Sequence, residues 1–329
     1  MAKLSDVAAL AGVSVTTVSR VINNYGSLSE KTKQKVFAAM RDLNYQPNSL
    51  ARSLQGKQTK LIGLIFPGVS HPFFGELVQD LEDQLFKHGY RVILCNASAG
   101  DAEKERDYVR MLQANQVDGI IAGAHNMPVP EYQKINAPLI SFDRYLGDNI
   151  PIVSSDNYAG ARLATSALLD TGARDVWVLT GANRPGNPTN DRLRGYQDVM
   201  AEKGLTPHAV EIPFSTAPEV KWATIKRMLS SHVPEGVFAT DDMTAIMVMQ
   251  IARTLGIQIP QQLRVIGYDG TVLTRNYYPE LATIVQPITA ISSLMIDLLM
   301  QRIKDADAQL EARYVLPVRP YAARSLLGE

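Results

Sequence analysis

The chain has little that would support catalysis, disulfide bonding or a membrane span. Its 329 residues include one cysteine, Cys95, which rules out an internal disulfide. No apolar run approaches the roughly 20 residues that cross a bilayer, and no signal segment precedes the first helical pattern. The sequence also lacks a nucleophile elbow, a phosphate-binding glycine loop and zinc-ligand spacing. We therefore expect a cytoplasmic protein that is not an enzyme and uses neither metal nor cofactor.

The formal net charge of zero hides a division along the chain. Residues 1–60 contain nine basic and three acidic side chains, whereas residues 61–329 contain 24 basic and 30 acidic ones. A basic head suits the phosphate backbone of DNA, and its affinity should fall steeply with salt. The acidic remainder should stay off DNA.

The first 23 residues predict a helix-turn-helix. Ser5 is the predicted N-cap of the first helix, and Gly12 ends it in a turn. The predicted apolar face of that helix consists of Val7, Ala8, Leu10 and Ala11. Ser14 is predicted to cap a second helix, whose buried stripe is Val18, Val21 and Ile22. The alternative is a small helical hairpin without a DNA role.

The outer face of the second helix would read bases. Its exposed side chains are predicted to be Val15, Thr16, Ser19 and Arg20. Small residues allow close approach to base edges, a methyl group can contact thymine, and an arginine can pair with guanine.

A third helix and a weak fourth one follow. Ser29 caps the third helix, which runs to about Leu43, with Val36, Phe37, Met40 and Leu43 predicted to face inward. Residues 48–57 are predicted to form a short helix with too little apolar surface to be stable alone. It is either a solvated linker or a hinge that orders against DNA. In the second case Leu54 would wedge between base steps in the minor groove.

From Leu61 onward, short apolar strands alternate with amphipathic helices, which predicts two successive doubly wound α/β units. Ligands bind beyond the carboxyl ends of parallel strands. The polar and aromatic residues at those positions are His71, Phe73, Phe74, His125, Asn126, Asp143, Arg144, Arg192, Asp241, Asp242 and Asp269. Carboxylates and an arginine bind hydroxyls well, and aromatic rings stack on the C–H face of a sugar. The alternative is that each aspartate merely caps the next helix.

These segments resemble the LacI/GalR family of repressors along essentially the whole chain. The resemblance is carried by LSDVAALAGVSVTTVSRVIN, by SEKTKQKVFAAMRDLNYQPNSLARSLQGKQTKLIGLIFP, and by FDRYLGDNIPIVSSDNYAGARLAT, RLRGY, FATDDMTAI and VIGYDG. Within the family, it is strongest to the sucrose-operon group of Gram-positive bacteria. It implies an N-terminal all-α helix-turn-helix domain and a two-lobed α/β core like that of periplasmic binding proteins.

The resemblance also implies the domain boundaries. We expect a DNA-binding headpiece at 1–46, a hinge helix and linker at 47–60, and an effector-binding and dimerisation domain at 61–329. Lobe one would comprise about 61–158 and 288–316, and lobe two about 159–287 and 317–329.

The functional residues implied by the resemblance fall into two sets. The expected DNA contacts are Ser5, Val15, Thr16, Thr17, Arg20, Asn23, Thr32, Asn48, Ala51 and Leu54. The expected effector contacts are His71, Phe73, Phe74, His125, Asp143, Arg192, Asp241 and Asp269. Where the family often has Asn before Asp, this chain has Asp241 before Asp242, which replaces an amide by an acceptor-only carboxylate.

The implied function is a sugar-responsive repressor of a sucrose or related operon. It would bind a pseudopalindromic operator as a homodimer and be released by sucrose, fructose or a sugar phosphate. Two alternatives stay open: a regulator of the same fold in which the ligand strengthens DNA binding, and a sugar-binding protein for transport, which would need a secretion signal in place of the basic head.

Overall fold

A computed structural model describes residues 2–22, 25–45, 58–98, 100–124, 126, 129–183 and 186–328. The chain forms two compact units, Met1–Thr59 and Lys60–Glu329. Five of the expected functional residues lie outside the described residues: Asn23, Asn48, Ala51, Leu54 and His125.

The first unit contains helices α1 (Leu4–Ala11), α2 (Val15–Ile22) and α3 (Glu30–Asp42), packed around Val7, Val18 and Val36. Gly12 has a φ of +66° and ends α1, as predicted. The Ser14 hydroxyl accepts a hydrogen bond from the Thr17 backbone N–H at 3.1 Å. The Ser29 hydroxyl does the same for Thr32 at 3.2 Å. Both predicted N-caps are therefore confirmed.

Three details of the helical predictions are wrong. Ser5 is not the N-cap: Lys3 holds that position, and the Asp6 carboxylate accepts the Lys3 backbone N–H at 2.8 Å. Leu10 is 54% exposed and Phe37 is 44% exposed. At 100° per residue, each lies about 100° away from the centre of the stripe that its helix buries. In α3, Ala39 is buried on the inward face that is predicted to include Phe37.

The second unit is built on two six-stranded sheets. The first sheet contains β1 (Leu61–Phe66), β2 (Arg91–Asn96), β3 (Gly119–Ala122), β4 (Leu139–Phe142), β5 (Ile152–Ser155) and β11 (Arg313–Leu316). Its strand order is β11-β5-β4-β3-β1-β2, and every pairing is parallel. The helices of this part are α4 (Pro72–Lys87), α5 (Ala102–Ala114) and α11 (Ile288–Lys304). Sheet and helices enclose an apolar core, and we refer to them as lobe one.

The second sheet contains β6 (Val176–Thr180), β7 (His208–Glu211), β8 (Gly236–Ala239), β9 (Arg264–Asp269), β10 (Ala282–Val285) and β12 (Arg319–Tyr321). Its order is β12-β10-β9-β8-β6-β7, with β12 antiparallel to β10. The surrounding helices are α6 (Asn157–Asp170), α7 (Asp191–Glu202), α8 (Pro218–Ser231), α9 (Asp242–Thr254), α10 (Val272–Tyr277) and α12 (Arg324–Leu327). We call this part lobe two.

The predicted fold class, a helical headpiece with two doubly wound α/β lobes, is confirmed. The chain passes between the lobes after β5, before α11, and again between β11 and β12. Among the described residues, no single helix is long and apolar enough to span a membrane. Only α1 and α2 taken together, bent by 102°, reach that length and composition.

Candidate functional site

A cavity lies between the lobes, where the carboxyl ends of the parallel strands of both sheets meet. Of the eight residues expected to contact an effector, seven line it: His71, Phe73, Phe74, Asp143, Arg192, Asp241 and Asp269. Four further lining residues, Arg144, Phe214, Lys221 and Gln286, contribute charge, amide groups and an aromatic ring. The structure thus brings residues nearly 200 positions apart in the chain to one place.

Arg192, in the first turn of α7, is held on three sides. Its Nε donates to the Asn157 side-chain oxygen at 2.6 Å, and its Nη1 donates to the Thr240 carbonyl at 2.6 Å. Its guanidinium also lies 3.7 Å from the centroid of the Tyr268 ring. Among the described residues Nη2 has no hydrogen-bond partner, so this nitrogen can donate to a ligand.

Asp143 follows β4 and is 4% exposed. Its Oδ1 accepts a hydrogen bond from the Asn157 amide at 3.1 Å, so Asn157 links Asp143 to Arg192. Burial raises the pKa of Asp143, although Arg192 and Arg144 act in the opposite direction. A carboxyl group in this state gains from hydrogen-bond donors on a ligand, because they stabilise its charged form.

Asp269 ends β9, is 4% exposed, and accepts a hydrogen bond from the Gln286 amide at 2.8 Å. Burial raises its pKa well above the usual range, and Asp242 raises it further. The Gln286 side-chain oxygen is buried without a hydrogen-bond partner among the described residues. Because a buried unpaired acceptor is costly, it is a natural contact for a ligand hydroxyl.

The two neighbouring aspartates before α9 have different roles. Asp241 lines the cavity and also caps α9, since its Oδ1 accepts the Thr244 backbone N–H at 2.7 Å. Asp242 points away from the cavity, accepting the Gly270 backbone N–H at 2.8 Å and the Thr283 hydroxyl at 2.5 Å. Burial raises the pKa of Asp242 to about 7. Asp242 therefore stabilises the backbone next to Asp269 and does not face the cavity.

Aromatic rings from both lobes form one side of the cavity. Phe73 stacks on Phe142 at 5.6 Å between centroids, and Phe74 meets Phe214 edge to face at 6.0 Å. His71 lies 5.6 Å from Phe214, and its Nδ1 is buried without a partner among the described residues. Burial lowers the pKa of His71, so the imidazole is neutral at pH 7. Such a wall suits the apolar face of a sugar ring.

Sequence reasoning missed four residues of this region: Asn157, Phe214, Lys221 and Gln286. Gln286 follows β10 and Phe214 follows β7, so both obey the rule of polar or aromatic residues after strands. Asn157 begins α6 directly after the crossing from lobe one. Lys221 lies inside α8, where no sequence signal distinguishes it from an exposed lysine.

The headpiece presents its expected DNA-reading residues to solvent. Val15 is 46% exposed, and Thr16 and Arg20 are also exposed. Thr17 and Thr32 are half-buried, and their hydroxyls bond to the capping hydroxyls of Ser14 and Ser29. Ser5 is exposed in the first turn of α1. An exposed helix face of small residues with one arginine can enter a major groove.

A helix-turn-helix unit followed by two lobes around a polar cleft defines a ligand-regulated DNA-binding protein. Residues 3–48 match the family model described as "Bacterial regulatory proteins, lacI family", and residues 165–326 match that of the "Periplasmic binding protein-like domain". The sucrose operon repressor of Pediococcus pentosaceus is 57% identical over 96% of this chain and 97% of its own length. The chain belongs to the lacI family.

Two solved structures agree with this assignment. The lac repressor dimer bound to operator and the anti-inducer ONPF superposes with a TM-score of 0.84, at 26% identity, over 99% of both chains. A regulator of the same class from Alkaliphilus metalliredigens, complexed with D-xylulofuranose, gives a TM-score of 0.71 at 31% identity, over 82% of this chain and 99% of that one.

Proposed function

We propose that this chain represses a sucrose-utilisation operon, binds its operator as a homodimer in the cytoplasm, and is released when a sugar enters the interlobe cavity. The observation that carries the proposal is the combination of the cavity with the Pediococcus similarity. The cavity has carboxylates, cations and aromatic rings on facing walls, and the similarity extends over headpiece and core alike.

The cavity chemistry supports a polyhydroxylated ligand. Asp143, Asp269 and the Gln286 oxygen offer buried acceptors, whereas Arg192 offers a fixed donor next to them. A sugar carries hydroxyls that donate and accept at once, so it can satisfy all of these groups together. The Alkaliphilus relative, whose structure contains a pentulose, shows that this fold accommodates such a ligand.

DNA contacts are proposed for the headpiece residues on the same basis. We assign base reading to Val15, Thr16 and Arg20, with Ser5, Thr17 and Thr32 close to the phosphate backbone. The outward position of the first three supports this assignment. No catalytic step is needed for any part of the proposed activity, and the named relatives are repressors.

A gel-shift titration tests the proposal. The full chain is mixed with a labelled fragment from upstream of the sucrose operon, and sucrose or fructose is added. We expect a specific complex that the sugar dissolves, and an Arg20→Ala variant that fails to form it. If sugar instead strengthens the complex, the ligand acts as a corepressor and does not release the protein from its operator. Equal binding to an unrelated fragment would refute the operator assignment.

A further inference from the structure

Lys221 is a cation in the cavity that nothing in the sequence pattern indicates. It lies on α8, is half-buried and lines the cavity. Its Nζ donates to the Thr244 hydroxyl oxygen at 3.3 Å. Among the described residues, no carboxylate lies within the 4.0 Å that defines an ion pair with this ammonium. An ammonium has three donors, so two remain for a ligand.

Thr244 connects this lysine to Asp241. The Thr244 hydroxyl donates to Asp241 Oδ2 at 2.7 Å, and Asp241 Oδ1 accepts the Thr244 backbone N–H at 2.7 Å. The Thr244 hydroxyl thus donates its proton to the Asp241 carboxylate and accepts a hydrogen bond from the Lys221 ammonium. Asp241 keeps further lone pairs that can accept hydrogen bonds. One wall of the cavity therefore offers donors and acceptors side by side.

The charges on this wall balance. Burial acts to raise the pKa of Asp241, but Lys221, His71 and the two Thr244 hydrogen bonds outweigh it, and the pKa is lowered. Asp241 is thus a carboxylate at neutral pH. Burial lowers the pKa of His71, which leaves its imidazole uncharged. The wall then carries one positive charge, on Lys221, and one negative charge, on Asp241.

We infer that Lys221 contacts the effector and that the Lys221–Thr244–Asp241 unit selects a sugar that carries no phosphate. This inference rests on the proposed function. A sugar hydroxyl can accept from the ammonium and donate to the carboxylate at once. A phosphate brings about −1.5 to −2 charge and only acceptor oxygens in its dianionic form. Lys221 attracts it, but it has no hydrogen to donate to Asp241 and is repelled by that carboxylate.

Calorimetric titration of the full chain with fructose, sucrose and fructose 6-phosphate tests the inference. We expect the wild type to bind at least one free sugar roughly tenfold or more tightly than the phosphate, the factor that about 1.4 kcal/mol produces. Lys221→Met should weaken free-sugar binding by a similar factor. Lys226→Met is the matched control, because Lys226 is an exposed lysine on the same helix, and it should change nothing.

Asp241→Asn separates charge from shape. Asparagine can still cap α9, so folding should be preserved, which a thermal melt verifies. Loss of the negative charge leaves Lys221 unbalanced, and fructose 6-phosphate should then bind more tightly than it does to the wild type. Tighter binding of the phosphate than of either free sugar by the wild type overturns the inference but leaves a sugar-responsive repressor intact. If no sugar binds, and none alters the operator complex, the proposed function fails as well.

Discussion

Asp269→Asn should stabilise the fold while weakening sugar binding. Asp269 is 4% exposed, and burial together with Asp242 raises its pKa well above the usual range. Asparagine has nearly the same shape as aspartate, keeps an oxygen for the Gln286 amide, and adds no bulk at this position, where φ is +127°. The substitution therefore removes a buried carboxyl group that is costly to ionise and replaces it with a neutral amide.

The sign of the pH dependence follows from linkage. An acid whose pKa is higher in the folded than in the unfolded state binds more protons when folded, so its contribution to stability is lost as pH rises. The loss begins near the unfolded value of about 3.9 and continues up to the raised folded value. Below about pH 4 the variant and the wild type should have similar stability, and the advantage of the variant should grow towards pH 7. Each kcal/mol gained raises Tm by roughly 2–4 °C.

Sugar binding should respond in the opposite direction. Ligand hydroxyls that donate to the Asp269 carboxyl group stabilise its charged form, which a neutral amide cannot adopt. Hydrogen bonds to charged groups contribute about 1.5–3 kcal/mol, so the substitution should raise the Kd by roughly 10- to 150-fold. Differential scanning calorimetry from pH 4 to 8 and a sugar titration measure the two effects. Asp170→Asn, at an exposed position of α6, is the control. A lower Tm than the wild type at pH 7, or an unchanged sugar affinity, would refute the reasoning.

Three further predictions concern separate parts of the chain. Phe214→Ala removes an aromatic ring from the cavity wall, and fully burying such a ring contributes about 1.5–3 kcal/mol, so titration should show sugar affinity falling on the order of tenfold; an unchanged Kd would remove Phe214 from the site. Glu105→Leu leaves the buried Tyr132 hydroxyl, which now donates to the Glu105 carboxylate at 2.7 Å, without that acceptor; thermal melts should show a loss of about 1–3 kcal/mol, and a neutral result would contradict the assigned contact. Ser14→Ala removes the α2 cap, worth about 1 kcal/mol; operator affinity should fall in a gel shift with sugar affinity unchanged, and loss of both would point to general unfolding.

The sequence predicts the sheets and most of the site for one physical reason. Parallel strands buried on both faces are continuous apolar runs, and the next residue along, such as Asp143 after β4, lies at the binding edge. Strands β5 and β10 and helix α10, of four to six residues, are not among the predicted elements. Gln286, which follows β10, is missed with its strand.

Other features depend on tertiary packing that no local pattern encodes. Asp241 and Asp242 are chain neighbours of equal charge, and only the position of Gly270 and Thr283 turns Asp242 inward. In the sequence, Lys221 cannot be distinguished from any other helical lysine. In the structure, α8 packs beside α9, which brings the Lys221 ammonium to Thr244. In α1, packing against α2 and α3 buries Val7, Ala8 and Ala11, as predicted, and leaves Leu10 exposed.

The contacts between the lobes suggest how a small ligand could shift their arrangement. Asn157 bonds across to Asp143 at 3.1 Å, and Glu76 accepts the Val272 backbone N–H at 2.8 Å. Individual hydrogen bonds contribute about 0.5–1.5 kcal/mol net, so such contacts together are comparable with the 1–3 kcal/mol typical of allosteric coupling. A ligand shifts the lobes only through its different affinity for their two arrangements. A hydroxyl that competes with Asn157 for Asp143 would act on an interlobe contact directly, whereas one that binds Lys221 and Asp241 adds affinity within lobe two alone. Asp143 variants should therefore lose more of the coupling between sugar and operator binding than of the sugar affinity. Lys221 variants should lose more of the sugar affinity than of this coupling.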